Sequence, residues 1–252
     1  MFEFDDQVVL VTGGGSGIGA ATCAGLVESG ARVFVTDVNG DAAKKVAADI
    51  NEACTGPGSA EAVTLDVTDF DQCNQVIDDA VASAGKLDAL IAVAGWSETH
   101  PLLTEGPDYW RKVVDVNYFG TIYPCHAALR HMTEAGYGRI VTFSSDAARV
   151  GTFGEGVYAG AKAGVIALTK SIAREVGRKG IVANVVSPGV TNTPLMLHQD
   201  QKVIQKMISL VTLKRLGVPA EVAAAAIFLA SREVSFITGQ VISVSGGLTM
   251  VD

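Results

Sequence analysis

Three polar side chains near the middle of the chain have types and a spacing that could move a proton. Ser145 precedes Tyr158 by 13 positions, and Lys162 follows Tyr158 by 4 positions. Residues four apart on a helix lie on one face, so the phenol and the ammonium would be neighbours. A tyrosine titrates near ~10, and a nearby cation lowers that pKa. The serine hydroxyl could hold a substrate oxygen while the proton moves.

A surface Tyr–Lys pair on an ordinary helix has the same pattern, so the acid–base interpretation needs a partner elsewhere in the chain. Asn117 is a further candidate, because it falls inside a helix predicted from Asp108 to Met132. An asparagine is mildly unfavourable within a helix. It therefore indicates either a polar contact or an exposed position.

A glycine-rich loop offers such a partner. The β-branched run Gln7–Thr12 predicts a buried strand, and it leads into GGGSGIG and then a helical pattern. Gly13, Gly17 and Gly19 follow the spacing G-x-x-x-G-x-G. Glycines let the backbone turn sharply beside a diphosphate, and the N-terminus of the next helix directs N–H groups at its oxygens. The loop therefore predicts a dinucleotide site.

Asp37 predicts which dinucleotide binds. It ends the predicted second strand, Ala31–Thr36, 24 residues beyond Gly13. A carboxylate at this place accepts hydrogen bonds from the adenosine ribose and repels a 2′-phosphate. Because the loop offers Ser16 rather than Lys or Arg, we expect NAD rather than NADP. The alternative is that Asp37 caps the turn before a helix over Asp41–Ala53.

The elements that must position these residues alternate between strand and helix. Five more strands are predicted, over Glu61–Leu65, Leu87–Val93, Gly138–Phe143, Ile181–Val186 and Gly239–Val244. Continuous apolar strands that alternate with helices predict an α/β fold with a parallel sheet covered on both faces. Ligands bind such sheets at the carboxyl edge. Asp66, just after the third strand, could meet the adenine amino group there.

Composition limits the function classes. The net charge of −8 argues against a nucleic-acid partner, which requires a basic face. No apolar run approaches the ~18 residues of a membrane span. The start MFEFDDQ lacks the basic region of a signal peptide, so a cytoplasmic protein is expected. The cysteines and histidines show no metal-ligand spacing, so no metal is expected.

We expect one domain over residues 1–252, with a substrate lid at about residues 190–214, because a long segment after a sheet edge is typical of lids. Over residues 190–215 the cations Lys202, Lys206, Lys214 and Arg215 face only Asp200. That charge could suit the phosphates of CoA. The alternative is the solvated face of a short helix.

Taken in order, these motifs resemble the short-chain dehydrogenase/reductase family. The matching segments are TGGGSGIG at Thr12–Gly19, Asp37, Asp66-Val67, the set Asn117, Ser145, Tyr158 and Lys162, the turn Pro188-Gly189 with Thr193, and ITGQVISVSGG at Ile237–Gly247. The resemblance implies a Rossmann-type sheet of seven strands in the order 3-2-1-4-5-6-7. It also implies a homotetramer and a small-molecule substrate.

The resemblance also implies roles. Tyr158 would be the general acid/base, Lys162 would lower its pKa and hold the nicotinamide ribose, and Ser145 would bind the substrate oxygen. Asn117 would support a proton relay to Lys162. The residues expected at the cofactor are Gly13, Ser16, Gly17, Ile18, Gly19, Asp37, Asp66, Val67, Gly95, Tyr158, Lys162, Pro188, Gly189, Thr191 and Thr193.

The chain departs from the family pattern in three segments. Ala92-Val93-Ala94-Gly95 stands where Asn-Asn-Ala-Gly is usual, which weakens the expected support of the cofactor site. Thr191 stands where Ile or Val often meets the carboxamide through its backbone. Ser245 replaces a frequent aspartate. None of these changes removes a catalytic group.

The substrate is predicted from a narrower resemblance. SDAARVG at Ser145–Gly151, Ala94–Trp96 and SVSGGLTM at Ser243–Met250 resemble the 2-hydroxycyclohexane-carboxyl-CoA dehydrogenases. This implies a cyclic or aromatic secondary alcohol or a ring hydroxyacyl-CoA. A 3-oxoacyl thioester reductase and a non-catalytic dinucleotide-binding sensor are the alternatives. The candidate substrate residues are Trp96, Ser145, Asp146, Arg149, Val150, Phe153, Tyr158 and Leu195–Leu197. Arg149 could meet a carboxylate or acyl oxygen, or form a plain salt bridge.

Overall fold

The fold is a seven-stranded parallel sheet with helices on both faces. The computed structural model describes residues 2–197 and 201–251. The strands lie in the order β3-β2-β1-β4-β5-β6-β7, which confirms the predicted topology. They are β1 (Val8–Thr12), β2 (Arg32–Asp37), β3 (Ser59–Thr64), β4 (Ala89–Ala92), β5 (Gly138–Phe143), β6 (Ile181–Pro188) and β7 (Val241–Val244).

Helices cover the sheet from both sides. They are α1 (Gly17–Glu28), α2 (Gly40–Ala53), α3 (Phe70–Ala84), α4 (Pro107–Val114), α5 (Gly120–Ala135), α6 (Ala147–Val150), α7 (Gly156–Val176), α8 (Pro194–Leu197), α9 (Gln201–Leu210) and α10 (Pro219–Ala230). The hydrophobic core has two parts, one on each face of the sheet, and strand β1 shows the reason. Val9 and Val11 pack with α1, α2 and α10, whereas Val8 and Leu10 pack with α3, α5 and α7. Successive side chains of a strand point to opposite faces, so an all-apolar strand needs both layers.

The helix predicted from Asp108 to Met132 is not continuous, and this part of the prediction is wrong. Between α4 and α5 the backbone forms a π-helical segment, Asp115–Phe119. The side-chain amide of Asn117, in this segment, donates to the carbonyl of Val113 at 2.9 Å. Short π-helical segments occur within helices, often where function demands a particular side-chain placement. The periodicity of apolar residues alone could not predict this break.

Several strand ends also differ from the prediction. Strand β6 continues to Pro188, because Val244 of β7 pairs with Pro188. Strand β4 is shorter than predicted, at Ala89–Ala92, and these four residues pair with β1 on one side and with β5 on the other. A strand ends where its neighbours stop offering partners, which is a property of the sheet rather than of the strand.

The segment predicted as a lid contains α8 and α9, and Thr191 forms a short parallel bridge with Gly217 at its base. Residues 198–200, which include the predicted Asp200, lie outside the described part of the chain. In the described residues no helix combines the length and apolarity that crossing a membrane requires.

Candidate active site

The carboxyl ends of the strands open into one cavity of about 1620 Å³. Its lining residues come from the segments that follow successive strands. They include Gly13 and Ser16–Gly19 after β1, Asp37 and Val38 at the end of β2, Leu65–Thr68 after β3, Val93–Ser97 after β4, Ser144–Ala147 after β5, and Pro188–Thr191 from the end of β6. The volume exceeds the ~300–1,000 Å³ of a typical small-ligand pocket, so it has room for a dinucleotide together with a substrate.

The glycine loop has a backbone that only glycine adopts easily. Gly13 and Gly17 have positive φ angles of 68° and 51°. A Cβ atom on Gly19 would lie 2.1 Å from the carbonyl oxygen of Gly13. Ser16 precedes α1, and its side chain caps none of the helix N–H groups. The loop therefore leaves a cradle beside a helix N-terminus that could hold a diphosphate.

Asp37 lies on the cavity wall and braces the glycine loop. One oxygen of its carboxylate accepts from the Gly15 N–H at 3.0 Å, and the other accepts from the Asn39 N–H at 2.9 Å. The cap of α2 is Asn39, whose side chain accepts from the Ala42 N–H at 3.1 Å. Asp37 therefore shapes the turn without capping the helix, and it remains at the edge of the cavity.

Asp66 and Val67 form the next part of the wall. The Asp66 carboxylate accepts from the N–H and hydroxyl of Thr68, at 2.9 and 2.7 Å. Asp69, not Thr68, caps α3 through the Gln72 N–H. These bonds fix the turn that presents Asp66 and Val67 to the cavity.

The Ser–Tyr–Lys set comes together in the lining of the cavity. Tyr158 and Lys162 lie one turn apart on α7, and the Lys162 ammonium is 5.9 Å from the centre of the Tyr158 ring. Ser145, two residues after β5, lies close enough to Tyr158 for its side chain to favour the phenolate. Lys162 is buried, and its ammonium donates to the carbonyl of Phe143 at 2.9 Å. The fold thus brings together three groups that lie up to 17 residues apart.

Burial shifts the pKa values of both partners. The pKa of Tyr158 is raised, first because burial disfavours the phenolate and second because Glu155 lies nearby, while Ser145 acts in the opposite direction. Burial lowers the pKa of Lys162 to about 8. In this arrangement burial is the largest effect on the pKa of Tyr158, and the lowering of that pKa by Lys162 stays a prediction.

Asn117 is fully buried, and its side chain holds the loop after β4. Its amide donates to the Trp96 carbonyl at 2.6 Å, and its oxygen accepts from the Trp96 N–H at 3.2 Å. An added Cβ on Gly95 would lie 2.9 Å from that oxygen and 3.2 Å from the Lys162 ammonium. The polar-contact alternative is thus confirmed over the exposed one. Gly95 lets Asn117 and Lys162 approach each other.

The two predicted threonines lie in the segment that follows β6. A Cβ on Gly17 would meet the Thr193 methyl at 3.3 Å, so Thr193 lies directly against the glycine loop. Thr191 is buried, and its hydroxyl donates to the Gly189 carbonyl at 3.3 Å. Both threonines line the cavity, as do Pro188 and Gly189.

Some of the predicted substrate residues line the cavity and others do not. Trp96, Val150, Phe153 and Met196 line the cavity, and Phe153 is 82% exposed at its mouth. Arg149 is not among the described lining residues, because its guanidinium donates to the Val251 carbonyl at 2.6 Å. Nothing is described of the side chains of Leu195 and Leu197, so these predictions lie outside the described part of the structure.

Comparison with known proteins identifies the family. The chain matches the family model described as enoyl-(acyl carrier protein) reductase over residues 13–249. It is 41% identical to cis-4-hydroxycyclohexanecarboxylate dehydrogenase from Sinomonas cyclohexanicum, over 98% of each chain. The chain belongs to the short-chain dehydrogenase/reductase family. It is therefore an oxidoreductase, an alcohol dehydrogenase or ketone reductase that acts on a small molecule with a nicotinamide cofactor.

Two further short-chain dehydrogenase/reductases are similar over nearly the whole chain. The 2-dehydro-3-deoxy-L-rhamnonate dehydrogenase (NAD(+)) of Sphingomonas sp. (strain SKA58) is 36% identical and covers 98% of this chain and 97% of its own length. The crystal structure of levodione reductase superposes with a TM-score of 0.93 at 31% identity, over 97% of this chain and 98% of that one.

Other contacts replace part of the support that the family's asparagines after β4 would give. Where the family usually has asparagines after β4, the Ala94 N–H donates to the buried hydroxyl of Thr12 at 3.2 Å. A Cβ on Gly13 would lie 2.8 Å from the Cα of Ala94, so the two turns are in direct contact. The support expected from asparagine side chains thus comes in part from Thr12 and from close backbone packing.

Two acids in the cavity have different surroundings. Asp146, predicted to lie at the substrate, is buried and accepts from the hydroxyls of Ser187 and Ser243, both at 2.8 Å. It therefore ties β5 to β6 and β7. Glu155, which the sequence analysis missed, is half-buried in the cavity wall, and burial raises its pKa. Its position three residues before Tyr158, at the start of α7, was the available signal.

Proposed function

We propose that the chain is an NAD-dependent dehydrogenase that interconverts a cyclic secondary alcohol and its ketone, with Tyr158 as the general acid/base. One observation carries this proposal: Ser145, Tyr158 and Lys162 meet in the same cavity as the glycine cradle and Asp37. A dinucleotide laid along the cradle would bring its reactive end toward Tyr158. The glycine cradle without the Ser–Tyr–Lys set, or that set without the cradle, would not support this proposal.

The proposed roles follow from the contacts. When bound, the oxidised cofactor supplies the hydride acceptor and a positive charge beside the phenol. Ser145 donates to the substrate oxygen and favours the phenolate of Tyr158. Tyr158 then takes the hydroxyl proton in oxidation and returns it in reduction. Lys162, fixed by the Phe143 carbonyl, holds the ribose and stabilises the phenolate.

Asn117 is proposed to act through position. Its bonds to Trp96 hold the loop that carries Gly95, and Gly95 lies against Lys162. A relay that brings protons to Lys162 would pass through this region.

The choice of NAD follows from Asp37. Its carboxylate is held at the cavity wall by Gly15 and Asn39, where it would accept from the ribose hydroxyls and repel a 2′-phosphate. The rhamnonate dehydrogenase relative is described as NAD(+)-dependent, which supports the same choice.

A ring substrate is proposed from the cavity wall and from the relatives. Val150, Phe153, Met196, Val203, Met207 and Leu210 supply apolar surface suited to a saturated or aromatic ring. One relative acts on cis-4-hydroxycyclohexanecarboxylate, and the similar structure is a levodione reductase. We propose residues 190–214 as the lid over this ring, because α8 and α9 provide four of these residues.

The decisive test combines a variant with a substrate panel. Tyr158→Phe should lose nearly all turnover yet still bind NADH, since the ring keeps its packing while the proton carrier is gone. NADH absorbance would be followed with cyclic alcohols, matching ring hydroxyacyl-CoA esters and 3-oxoacyl thioesters. Retained turnover in Tyr158→Phe would contradict the assignment.

The panel also separates the other candidates. Exclusive turnover of 3-oxoacyl thioesters would favour a thioester reductase, in line with the name of the matching family model. NADH binding without turnover of any panel member would favour a dinucleotide sensor.

A further inference from the structure

We infer that Lys206 binds a carboxylate carried by the substrate, an inference that rests on the proposed function. Lys206 lies on α9 and lines the cavity together with Val203, Met207 and Leu210 of the same helix. Residues three, four and seven apart share one helix face. One cation therefore stands within an otherwise apolar face that borders the cavity.

The other cations of the cavity are engaged. Within the described residues the lining cations are Arg111, Lys112, Lys162 and Lys206. The first three have partners: the Asp108 carboxylate at 3.1 Å from Arg111, the Trp96 ring centre at 3.6 Å from Lys112, and the Phe143 carbonyl at 2.9 Å from Lys162. Across the described part of the chain, the Lys206 ammonium has no ion pair and no hydrogen-bond acceptor. It is thus the cation left for a ligand.

A carboxylate close to Tyr158 favours one orientation of the substrate. Glu155 lies close enough to Tyr158 to raise its pKa, and it lines the cavity. An anionic substrate group at that end would meet like charge, whereas at α9 it would meet Lys206. A ring substrate whose carboxylate lies away from its hydroxyl carbon would place that carboxylate near Lys206 and keep it away from Glu155. The hydroxyl then reaches Tyr158 and Ser145 while the ring contacts the apolar residues of α9.

Lys202 provides a matched control. It lies one turn before Lys206 on α9, is exposed as Lys206 is, and is not among the described residues that line the cavity. Lys206→Met and Lys202→Met remove the same charge from the same helix and keep a long side chain. Lys206→Arg restores the charge with a different geometry.

The experiment measures binding of cyclohexanecarboxylate by calorimetry at saturating NADH. This probe has no hydroxyl, so the result does not depend on turnover. We expect the wild type to bind it more tightly than cyclohexanol, Lys206→Met to weaken binding about tenfold, and Lys206→Arg to restore most of it. Lys202→Met should leave the affinity unchanged. The loss should shrink at high salt, because screening weakens an ion pair near the surface.

Phosphates are the other source of anionic oxygen, so the affinities of NADH and CoA are measured with the same variants. An unchanged carboxylate affinity in Lys206→Met overturns the inference. A loss of NADH or CoA affinity with no change for the carboxylate also overturns it and assigns Lys206 to phosphate. If the wild type oxidises cyclohexanol but shows no preference for the carboxylate, the inference fails and the proposed function stands. If nothing is oxidised but the carboxylate preference holds, the proposed function fails and Lys206 keeps its assignment.

Discussion

At the scale of single residues, burial and hydrogen bonds determine where a few charged side chains lie in the site. Asp37 is held by two backbone N–H groups, and Lys162 by one carbonyl. A buried ammonium is costly unless it is paired, so its position is imposed by the surrounding structure. Two predictions follow from these charges.

The first concerns the cofactor. Asp37→Asn removes the negative charge and keeps an acceptor for the Gly15 N–H. We expect a lower preference for NAD over NADP, because the repulsion of the 2′-phosphate is lost while the loop stays in place. The ratio of kcat/KM for the two cofactors measures this change. An unchanged ratio would argue against a ribose contact at Asp37.

The second concerns the pH dependence of stability. The pKa of Lys162 falls from 10.5 to about 8 on folding, so the unfolded chain binds more protons between these two values. The contribution of Lys162 to the free energy of unfolding therefore rises with pH from about 8 to 10.5, and it is lost as the pH falls. The difference between wild type and Lys162→Met isolates this contribution, which amounts to a few kcal/mol, on the order of ~1.4 per pH unit.

Denaturant unfolding at several pH values would measure that difference. The control is Lys170→Met, which changes an exposed lysine of the same helix. The raised pKa values of the buried cysteines give both proteins the same opposing trend, which cancels in the difference. A pH-independent difference for Lys162→Met would contradict the prediction.

At the scale of elements, the shape of the site is determined where two backbone segments approach each other closely. The turn after β1 touches the turn after β4, and the π-helical segment delivers Asn117 to Trp96 and lets Gly95 lie between Asn117 and Lys162. These approaches need glycine at particular positions. They also explain why a shift of one element would disturb the others.

The third prediction compares two glycine-to-alanine changes in helices. Gly19→Ala places a Cβ 2.1 Å from the Gly13 carbonyl oxygen, so the loop must shift and NADH affinity should fall sharply. Gly160→Ala, on α7 beside Tyr158, meets no atom within 4 Å. It should stabilise the fold by about 0.5–1 kcal/mol, because alanine loses less backbone entropy in a helix. NADH fluorescence and denaturant unfolding measure the two effects. Equal NADH affinity in both variants would contradict the account of the loop.

At the scale of the whole molecule, exposed apolar residues support the homotetramer that the family resemblance implies. Among the described residues, strand β7 pairs with β6 alone and forms one edge of the sheet, and its four residues are half-buried despite the apolar sequence VISV. Phe236 is 101% exposed and Met250 is 76% exposed. Sheet edges and large apolar side chains are usually covered in the assembled protein.

The fourth prediction is therefore that the wild type sediments as a homotetramer. Phe236→Asp should lower the mass in solution, since a charge at an interface opposes association. Ser235→Asp is a control that adds the same charge at the neighbouring position. A monomeric wild type at micromolar concentration would contradict the proposal.

The sequence alone determined what depends on neighbours along the chain. Strand and helix alternation follows from apolar periodicity, the glycine loop from backbone freedom, and the closeness of Tyr158 and Lys162 from the pitch of a helix. Together with the family resemblance, these features predicted the sheet order and most of the lining of the cavity.

Only the tertiary structure decided what depends on segments that are distant in sequence. Burial is the largest effect on the pKa of Tyr158, and it raises that pKa. The two contacts of Asn117 with Trp96 span 21 residues, and the contact of Arg149 with Val251 spans 102. The difference between Lys202 and Lys206 likewise comes from how α9 lies over the cavity. Solvation and charge act through space, so chain spacing cannot predict them where the fold brings remote segments together.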